Sequence, residues 1–176
     1  MHRLLYIVCI VGVTMCASSV TASEMEIMQV GWVEKVRLTP GNILVHAKID
    51  TGAKNSSLNA FDIEEFIRDG QKWVKFKVTN RHGESAIFQL KVVRNAKIKR
   101  RSVKDGLNPK RHKRPAVMLG VCLGNVYREV EVNLADRRRF NYQMLIGRSF
   151  MKGRIVVDPS RKYTIEPKCE VENKVE

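Results

Sequence analysis

Short stretches of alternating hydrophobic and polar residues, separated by turn-forming residues, extend along most of this chain. Residues 30–38 alternate up to a turn at 39–42, which contains Pro and Gly, and residues 43–49 return as a second strand. Residues 73–78 place apolar side chains on one face and basic side chains on the other, and residues 86–93 return as their partner. Alternation over about four to eight residues is typical of strands with one buried face. These patterns predict antiparallel hairpins.

The second half of the chain continues the β pattern. Residues 115–123 form a near-continuous apolar run, which predicts a central strand. Further strands are predicted at 56–60, 126–134, 142–146, 155–158 and 163–165.

Helical structure is predicted at two places only. Residues 61–68 fit one or two helical turns stopped by Gly70, and residues 148–152 fit a single turn closed by Gly153. Many short strands with turns about ten residues apart favour a closed or nearly closed barrel. We therefore predict an all-β, single-domain barrel with one short C-terminal helix.

The N-terminus has the pattern of a secretory signal peptide. A short positive start precedes an apolar run over residues 4–17, and Val20-Thr21-Ala22 supplies the small residues that a signal peptidase reads. We expect cleavage after Ala22, a domain over 23–167 and a flexible tail over 168–176. An uncleaved anchor is the alternative, although the apolar run is shorter than the ~20 residues of a spanning helix. Export across the inner membrane to the periplasm follows from the first interpretation.

Two cysteines, Cys122 and Cys169, remain after this cleavage. In an exported protein they can form one disulfide. A buried free thiol at Cys122, within its apolar strand, is the alternative.

The chain is strongly basic, with a net charge of +14. Residues 94–114 hold ten Lys or Arg and a single acid, Asp105. Such a cluster predicts an anionic substrate, an anionic membrane surface or nucleic acid as partner, and export makes nucleic acid the least favoured of these. We expect no nucleic-acid partner, an acidic peptide or protein substrate, and at most a transient contact with an anionic membrane surface. A solvated loop that keeps the protein soluble is the plain alternative.

Asp50-Thr51-Gly52-Ala53 ends the strand at 43–49 and carries the candidate chemistry. Two carboxylates about 3 Å apart cannot both ionise, so one can take a proton from water while the other polarises a carbonyl. Gly52 lets backbone approach the carboxylate, and Ala53 is small for the same reason.

One such turn supplies one carboxylate, so a working pair requires a symmetric homodimer in which two Asp50 side chains meet on the two-fold axis. If the chain acts alone, Asp158 is the candidate second carboxylate, because it also ends a strand. No glycine turn accompanies it.

The pairing of this turn with a later Met144-Leu145-Ile146-Gly147-Arg148 resembles the retropepsin-like aspartic peptidases. More narrowly, the chain is similar to the bacterial retropepsin-like family often labelled "ATP-dependent zinc protease". The matching segments are Gly31-Trp32-Val33-Glu34, Lys48-Ile49-Asp50-Thr51-Gly52-Ala53-Lys54, Ser56-Ser57-Leu58, Arg114-Pro115, Met144-Leu145-Ile146-Gly147-Arg148 and Val157-Asp158-Pro159-Ser160.

This resemblance implies an acid-protease barrel, catalysis by Asp50, a flap over the cleft and an association with ATP-grasp glutamate ligases. It implies that Ile146, Gly147 and Arg148 support the catalytic loop, the alternative for Gly147 and Arg148 being a plain helix start. Asn55 and Asn59 depart from the family pattern, where Thr and His are usual. Both follow the catalytic loop, so they bear on substrate preference more than on the reaction.

The zinc and ATP of the family's label have no recognisable site in the sequence. Zinc hydrolases place ligands in clusters, whereas His46, His82 and His112 are isolated. The sequence also lacks the glycine-rich phosphate loop of many ATPases. We expect neither a metal nor a cofactor.

The flap of retropepsins precedes the strand pair that leads to the Gly-Arg motif, which places it here within residues 94–114. Four of its basic residues are expected to select acidic or glutamate-rich peptides: Lys99, Arg100, Arg101 and Lys104. The sequence therefore predicts an exported aspartic endopeptidase. The alternative is a non-catalytic barrel that binds anionic peptides or polymers through residues 94–114.

Overall fold

The computed structural model describes residues 26–97, 113–138 and 140–169. This part of the chain forms eleven β-strands and one short helix. They are β1 (Met28–Gly31), β2 (Val33–Thr39), β3 (Ile43–Ile49), β4 (Ser56–Asn59), β5 (Phe61–Arg68), β6 (Gln71–Thr79), β7 (Ser85–Lys97), β8 (Lys113–Leu123), β9 (Val126–Ala135), β10 (Met144–Ile146), α1 (Arg148–Met151) and β11 (Ile155–Asp158). No helix in these ranges has the length and apolar character of a membrane span.

Six strands close into a barrel in the order β2-β3-β10-β4-β9-β8, and β8 pairs back onto β2. The sheet continues beyond β8 through β7, β6 and β5, while β1 and β11 form a separate parallel pair. The predicted all-β closed barrel with one short C-terminal helix is confirmed.

Alternating side chains fill the barrel interior. Val36, Val45 and Leu119 are almost fully buried, and the rings of Phe76 and Phe88 stack 5.1 Å apart under the extension formed by β6 and β7. β8 pairs with β9 along one edge and with both β7 and β2 along the other, so its prediction as a central strand is confirmed.

The helical turns predicted for residues 61–68 are wrong, because this segment is the edge strand β5. It pairs antiparallel with β6 through a turn at Asp69 and Gly70, whose φ angles are +49° and +69°. Asp-Gly in this left-handed conformation is a strong hairpin signal, and Gly70 therefore reverses the chain rather than ending a helix. Most of β5 is exposed, so its residues do not show the alternation of apolar and polar positions that identifies a half-buried strand in a sequence.

The strand predicted at 163–165 is also wrong. The backbone N–H groups of Thr164 and Ile165 donate to the carboxylate of Glu34 instead of to a neighbouring strand. Glu34 is fully buried, and the N–H of Gly31 donates to the same carboxylate over 2.7 Å. The buried carboxylate of Glu34 therefore helps to hold the C-terminal segment against the barrel.

Cys122 and Cys169 form a disulfide across a sequence separation of 47. The N–H of Lys168 also donates to the carbonyl of Gly124 over 2.7 Å. Residues 168 and 169, which the sequence analysis placed in a flexible tail, are thus held against the end of β8, and residues 170–176 lie outside the described chain.

Removal of this bridge is expected to lower the free energy of unfolding by about 3–4 kcal/mol, because a loop of this length gains conformational entropy in the unfolded chain. Urea unfolding of the double variant Cys122→Ser, Cys169→Ser beside the oxidised protein measures the loss. The reduced wild-type protein serves as control and should match the variant. An unchanged free energy of unfolding would show that the bridge constrains nothing.

Candidate active site

The barrel places Asp50 directly beside the Ile-Gly-Arg segment, although the two lie almost a hundred residues apart in sequence. β3 and β10 are parallel neighbours with Ile49 opposite Ile146, and the N–H of Asp50 donates to the carbonyl of Ile146 over 2.9 Å. Ile146 is fully buried. The start of the Asp50 turn is therefore anchored to the barrel core.

The turn that follows Asp50 folds onto its own carboxylate. The N–H of Gly52 donates to Asp50 Oδ1 over 2.9 Å, and the N–H of Ala53 donates to the carbonyl of Asp50 over 3.3 Å. A Cβ on Gly52 would lie 3.2 Å from Asp50 Oδ1, so even a methyl group would crowd the carboxylate. Asp50 itself is half-buried, with Thr51 and Gly52 exposed beside it.

Arg148 holds this turn from the opposite side. Its Nη1 donates to the carbonyls of Thr51 and Gly52, both over 2.8 Å, and its backbone N–H donates to the carbonyl of Ala53 over 2.9 Å. A charged donor bridging two carbonyls fixes their orientation more firmly than a neutral one. Arg148 thus contacts the loop that follows Asp50. All three of these hydrogen bonds are accepted by backbone carbonyl oxygens and none by a carboxylate.

Gly147 allows the close approach between this helix start and the loop. A Cβ at Gly147 would lie 2.7 Å from backbone atoms of Lys54 and Asn55, closer than real Cβ contacts. Its N–H donates to Ser56 Oγ over 3.2 Å. Ser56 is the first residue of β4 and lies within the strand predicted at residues 56–60.

Gly147→Ala is expected to lower the free energy of unfolding by about 1–3 kcal/mol, because the obstructing atoms are backbone and must move. Ser149→Ala is a matched control, since it removes the contacts of Ser149 Oγ with the carbonyl of Lys54 and with Asn55 Oδ1 and adds no bulk. Thermal and urea unfolding compare the two variants. If Gly147→Ala costs no more than Ser149→Ala, the packing argument fails.

A polar network joins the end of the loop to β7 and β9. Asn55 Nδ2 donates to Glu131 Oε1 over 2.8 Å, and Arg94 pairs with the same carboxylate through Nε, at 2.9 Å, and Nη2. Asn55, one of the departures from the family pattern, is therefore tied to Glu131. The sequence carried no signal for this contact, because Glu131 is one of several charged residues on an alternating strand.

The four flap residues proposed from the sequence, Lys99, Arg100, Arg101 and Lys104, lie outside the described residues. The flanks of the segment are described: Ala96 of β7 pairs with Arg114 of β8. The placement of the flap within 94–114 stays a prediction.

Arg137 is a functional candidate that the sequence analysis missed. It belongs to the loop before β10 and is 9% exposed, with Nη1 donating to Ser57 Oγ over 2.8 Å and its guanidinium 4.3 Å from the Phe140 ring centre. Burial, and next the nearby Arg114, lower the pKa of Arg137, while the carboxylate of Asp50 opposes that shift. The available signal was a run of three arginines shortly before the Ile-Gly-Arg segment.

Asp158, the alternative second carboxylate, is engaged elsewhere. Its Oδ1 accepts bonds from the hydroxyl and N–H of Ser160, at 2.6 and 2.9 Å, and its Oδ2 accepts from Gln29 over 3.2 Å. The hydroxyl bond from Ser160 is the main cause that lowers the pKa of Asp158. These contacts bind it to the β1–β11 sheet. In the described chain, no three His, Cys, Asp or Glu side chains converge in a way that could hold a metal ion.

A mostly apolar groove of about 600 Å³ runs beside the Asp50 turn. Thr51, Lys54 and Arg148 line one side, and Met151 with β11 residues such as Val156 line the other. Val156 is 49% exposed, so part of the apolar lining of this groove faces solvent.

Comparison with known proteins agrees with this geometry. A family model described as RimB-like, retropepsin-like aspartic endopeptidase RimB, matches residues 29–168. A solved structure from Legionella pneumophila, of a protein with unknown function, is 34% identical, with a TM-score of 0.63 over 78% of this chain and 98% of that one.

Two curated relatives are named "Probable alpha-L-glutamate ligase". The protein from Shewanella pealeana is 33% identical over 131 residues, 73% of this chain and 27% of that protein. The protein from Parasynechococcus marenigrum is 30% identical over 129 residues, 69% of this chain and 25% of that protein. The chain therefore spans about a quarter of the length of these curated relatives.

Proposed function

Because this chain belongs to the RimB-like family of retropepsin-like aspartic endopeptidases, we propose that it hydrolyses peptide bonds with a water activated between two Asp50 carboxylates of a homodimer. The observation that carries the proposal is the Asp50 turn itself. Its carboxylate is fixed by Gly52 N–H, and its backbone is held by Ile146 and Arg148. Such preorganisation is what acid–base chemistry on a bound water requires.

The reaction needs one ionised and one protonated carboxylate. The ionised Asp50 takes a proton from water as the water attacks the scissile carbonyl, and the protonated Asp50 of the second copy donates a hydrogen bond to that carbonyl oxygen. Two carboxylates this close repel each other when both are ionised, so the pair holds one shared proton. The proton taken from water then reaches the leaving amine.

The homodimer is supported by the surface around the turn. Thr51 is exposed at the mouth of the groove, where it can bond to the same loop of a second copy. The exposed apolar side chain of Val156, in the lining of the same groove, supports an interface at this place. A two-fold axis beside Thr51 brings both Asp50 turns together.

Charge supports an acidic or glutamate-rich substrate. The net charge of +14 and the basic segment 94–114 favour anionic peptides, and the relatives' printed names refer to glutamate chemistry. We place the flap and its selectivity on Lys99, Arg100, Arg101 and Lys104. Neutralising these four should reduce the preference for acidic over neutral peptides.

Export to the periplasm is part of the proposal. It is supported by the signal-like residues 1–22 and by the Cys122–Cys169 disulfide, since such bonds persist in oxidising compartments.

A second candidate is a non-catalytic barrel that binds anionic peptides or polymers. The ten basic residues between Arg94 and Arg114 favour it, because binding of this kind needs charge and no catalytic pair.

Cleavage of a diverse peptide pool by the mature protein, between about pH 3 and pH 8, separates the candidates. Activity that survives a chelator and is lost to a pepstatin-type inhibitor supports the aspartic mechanism, and the cut sites reveal any acidic preference. Activity lost to the chelator alone would assign the reaction to a metal. No cleavage under any condition, with acidic peptides still bound, would favour the binding barrel.

A further inference from the structure

Arg137 is a buried cation that has no carboxylate partner in the described chain. It is 9% exposed, and no described carboxylate oxygen lies within 4 Å of its guanidinium. Its Nε also has no hydrogen-bond acceptor among the described residues. A buried charge is costly unless it is paired, and the hydroxyl of Ser57 and the ring of Phe140 are neutral contacts that leave the charge of this guanidinium uncompensated.

The surroundings of Arg137 form a small polar cavity. It has a volume of about 280 Å³ and is lined by Arg137, Phe140, Gln143 and the side chains of Asn59 and Asn80, among others. Phe140 is 60% exposed and covers one face of the guanidinium. The cavity also contains Arg138, so its lining is polar and carries two cationic side chains.

The loop is held in place before any ligand arrives. The N–H of Arg137 donates to Asn59 Oδ1 over 2.6 Å, and the N–H of Phe140 donates to the carbonyl of Arg137 over 2.8 Å. Arg81 also donates to the carbonyl of Asn141. Asn59, the second departure from the family pattern, thus positions Arg137 directly. A cation fixed by its own loop loses little freedom when it binds an anion.

Strand pairing connects Arg137 to the strand that anchors Asp50. Arg137 bonds to Ser57 of β4, β4 pairs with β10, and β10 delivers the carbonyl that anchors Asp50. Two neighbouring strands, β4 and β10, therefore connect the Arg137 side chain to the start of the Asp50 turn.

We propose that Arg137 is a specificity-determining residue which receives a carboxylate side chain of the peptide substrate in this cavity. The guanidinium fork matches a carboxylate through two parallel hydrogen bonds, and the exposed ring of Phe140 packs along the aliphatic part of the same side chain. This inference rests on the proposed function, and it places acidic selectivity on a described residue in addition to the basic segment 94–114.

The test measures binding instead of cleavage. Asp50→Asn protein is titrated into fluorescein-labelled, end-blocked alanine–serine peptides that carry one glutamate or, as isostere, one glutamine at each position in turn. We expect the glutamate peptide to bind about tenfold to a hundredfold more tightly at one position. Adding Arg137→Gln should abolish this preference. Arg68→Gln is the matched control, since Arg68 is an exposed arginine at the β5–β6 turn, and the preference should survive it.

Arg137→Lys is the second variant, because it keeps the charge and loses the bidentate fork. The Arg137→Lys protein should retain only part of the preference for the glutamate peptide. If Arg137→Gln does not fold, Arg137→Lys alone tests the role of the guanidinium. If a folded Arg137→Gln protein keeps the full preference for glutamate over glutamine peptides, the assignment is wrong. If Arg137→Gln does not fold, a full preference in Arg137→Lys would likewise overturn the assignment. Since no cleavage is measured, an inactive wild-type enzyme would refute the proposed function and leave this test intact.

Discussion

Asp50→Asn is expected to lower kcat/KM for peptide cleavage by at least about a thousandfold, with the fold unchanged. Asparagine has nearly the same shape as aspartate and can still accept the hydrogen bond from Gly52 N–H. It cannot accept a proton from water at neutral or mildly acidic pH. The loss should therefore fall on kcat, and acidic peptides should still bind. Single-turnover cleavage measures the chemical step, and a binding titration measures the affinity for the peptide.

Asp158→Asn is the matched control for this prediction. Asp158 also ends a strand, yet its carboxylate is bound to Ser160 and Gln29. We expect cleavage close to the wild-type rate. An equal loss in both variants would instead support a pair formed within one chain. Full activity in Asp50→Asn would refute the aspartic mechanism.

Glu34→Ala is expected to lower the free energy of unfolding by about 3–5 kcal/mol, the largest effect we expect away from the catalytic turn. Glu34 is fully buried and accepts bonds from Gly31 N–H and from the N–H and hydroxyl of Thr164. Alanine removes this shared acceptor from buried and partly buried donors, and Gly31 N–H keeps only its longer contact with Thr164 Oγ1, at 3.2 Å. Glu34→Gln should lower the free energy of unfolding by less than Glu34→Ala, because the amide oxygen of glutamine still accepts hydrogen bonds. Some loss should remain, since the NH₂ group of glutamine has no acceptor there.

Urea unfolding measures both Glu34 variants. Glu166→Gln is the control, since Glu166 is 57% exposed and pairs with Lys35 at the surface. Surface pairs of this kind contribute about 0–1 kcal/mol. A cost of Glu34→Ala no greater than that of Glu166→Gln would show that the buried carboxylate does not hold the C-terminal segment.

The parts of the fold that sequence could predict are those with local causes. Alternation marked most strands, and Asp50 with its glycine turn stood at a strand end, where the structure places it. β5 was mistaken for helix because its exposed residues show no clear period, and because Asp69-Gly70 was taken as a stop instead of a hairpin turn. The segment at 163–165 has the composition of a strand, but the buried Glu34 takes up its N–H groups.

The parts of the site that sequence could not supply are long-range. Arg137 is one arginine among three in a row, and only the folded loop buries it against Ser57. Glu131 likewise becomes part of the site through pairing of β4 with β9, which brings Asn55 to its carboxylate. Contacts between strands distant in sequence depend on topology, which residue patterns alone do not specify.

The shared catalytic pair is tested most directly by subunit mixing. Wild-type and Asp50→Asn chains are combined in known ratios, exchanged to equilibrium and assayed at constant total protein. If each site needs Asp50 from two copies, an equal mixture should show about a quarter of the wild-type activity, and activity should follow the square of the wild-type fraction. About half of the wild-type activity, falling linearly with the wild-type fraction, would show that one Asp50 suffices and would contradict the account.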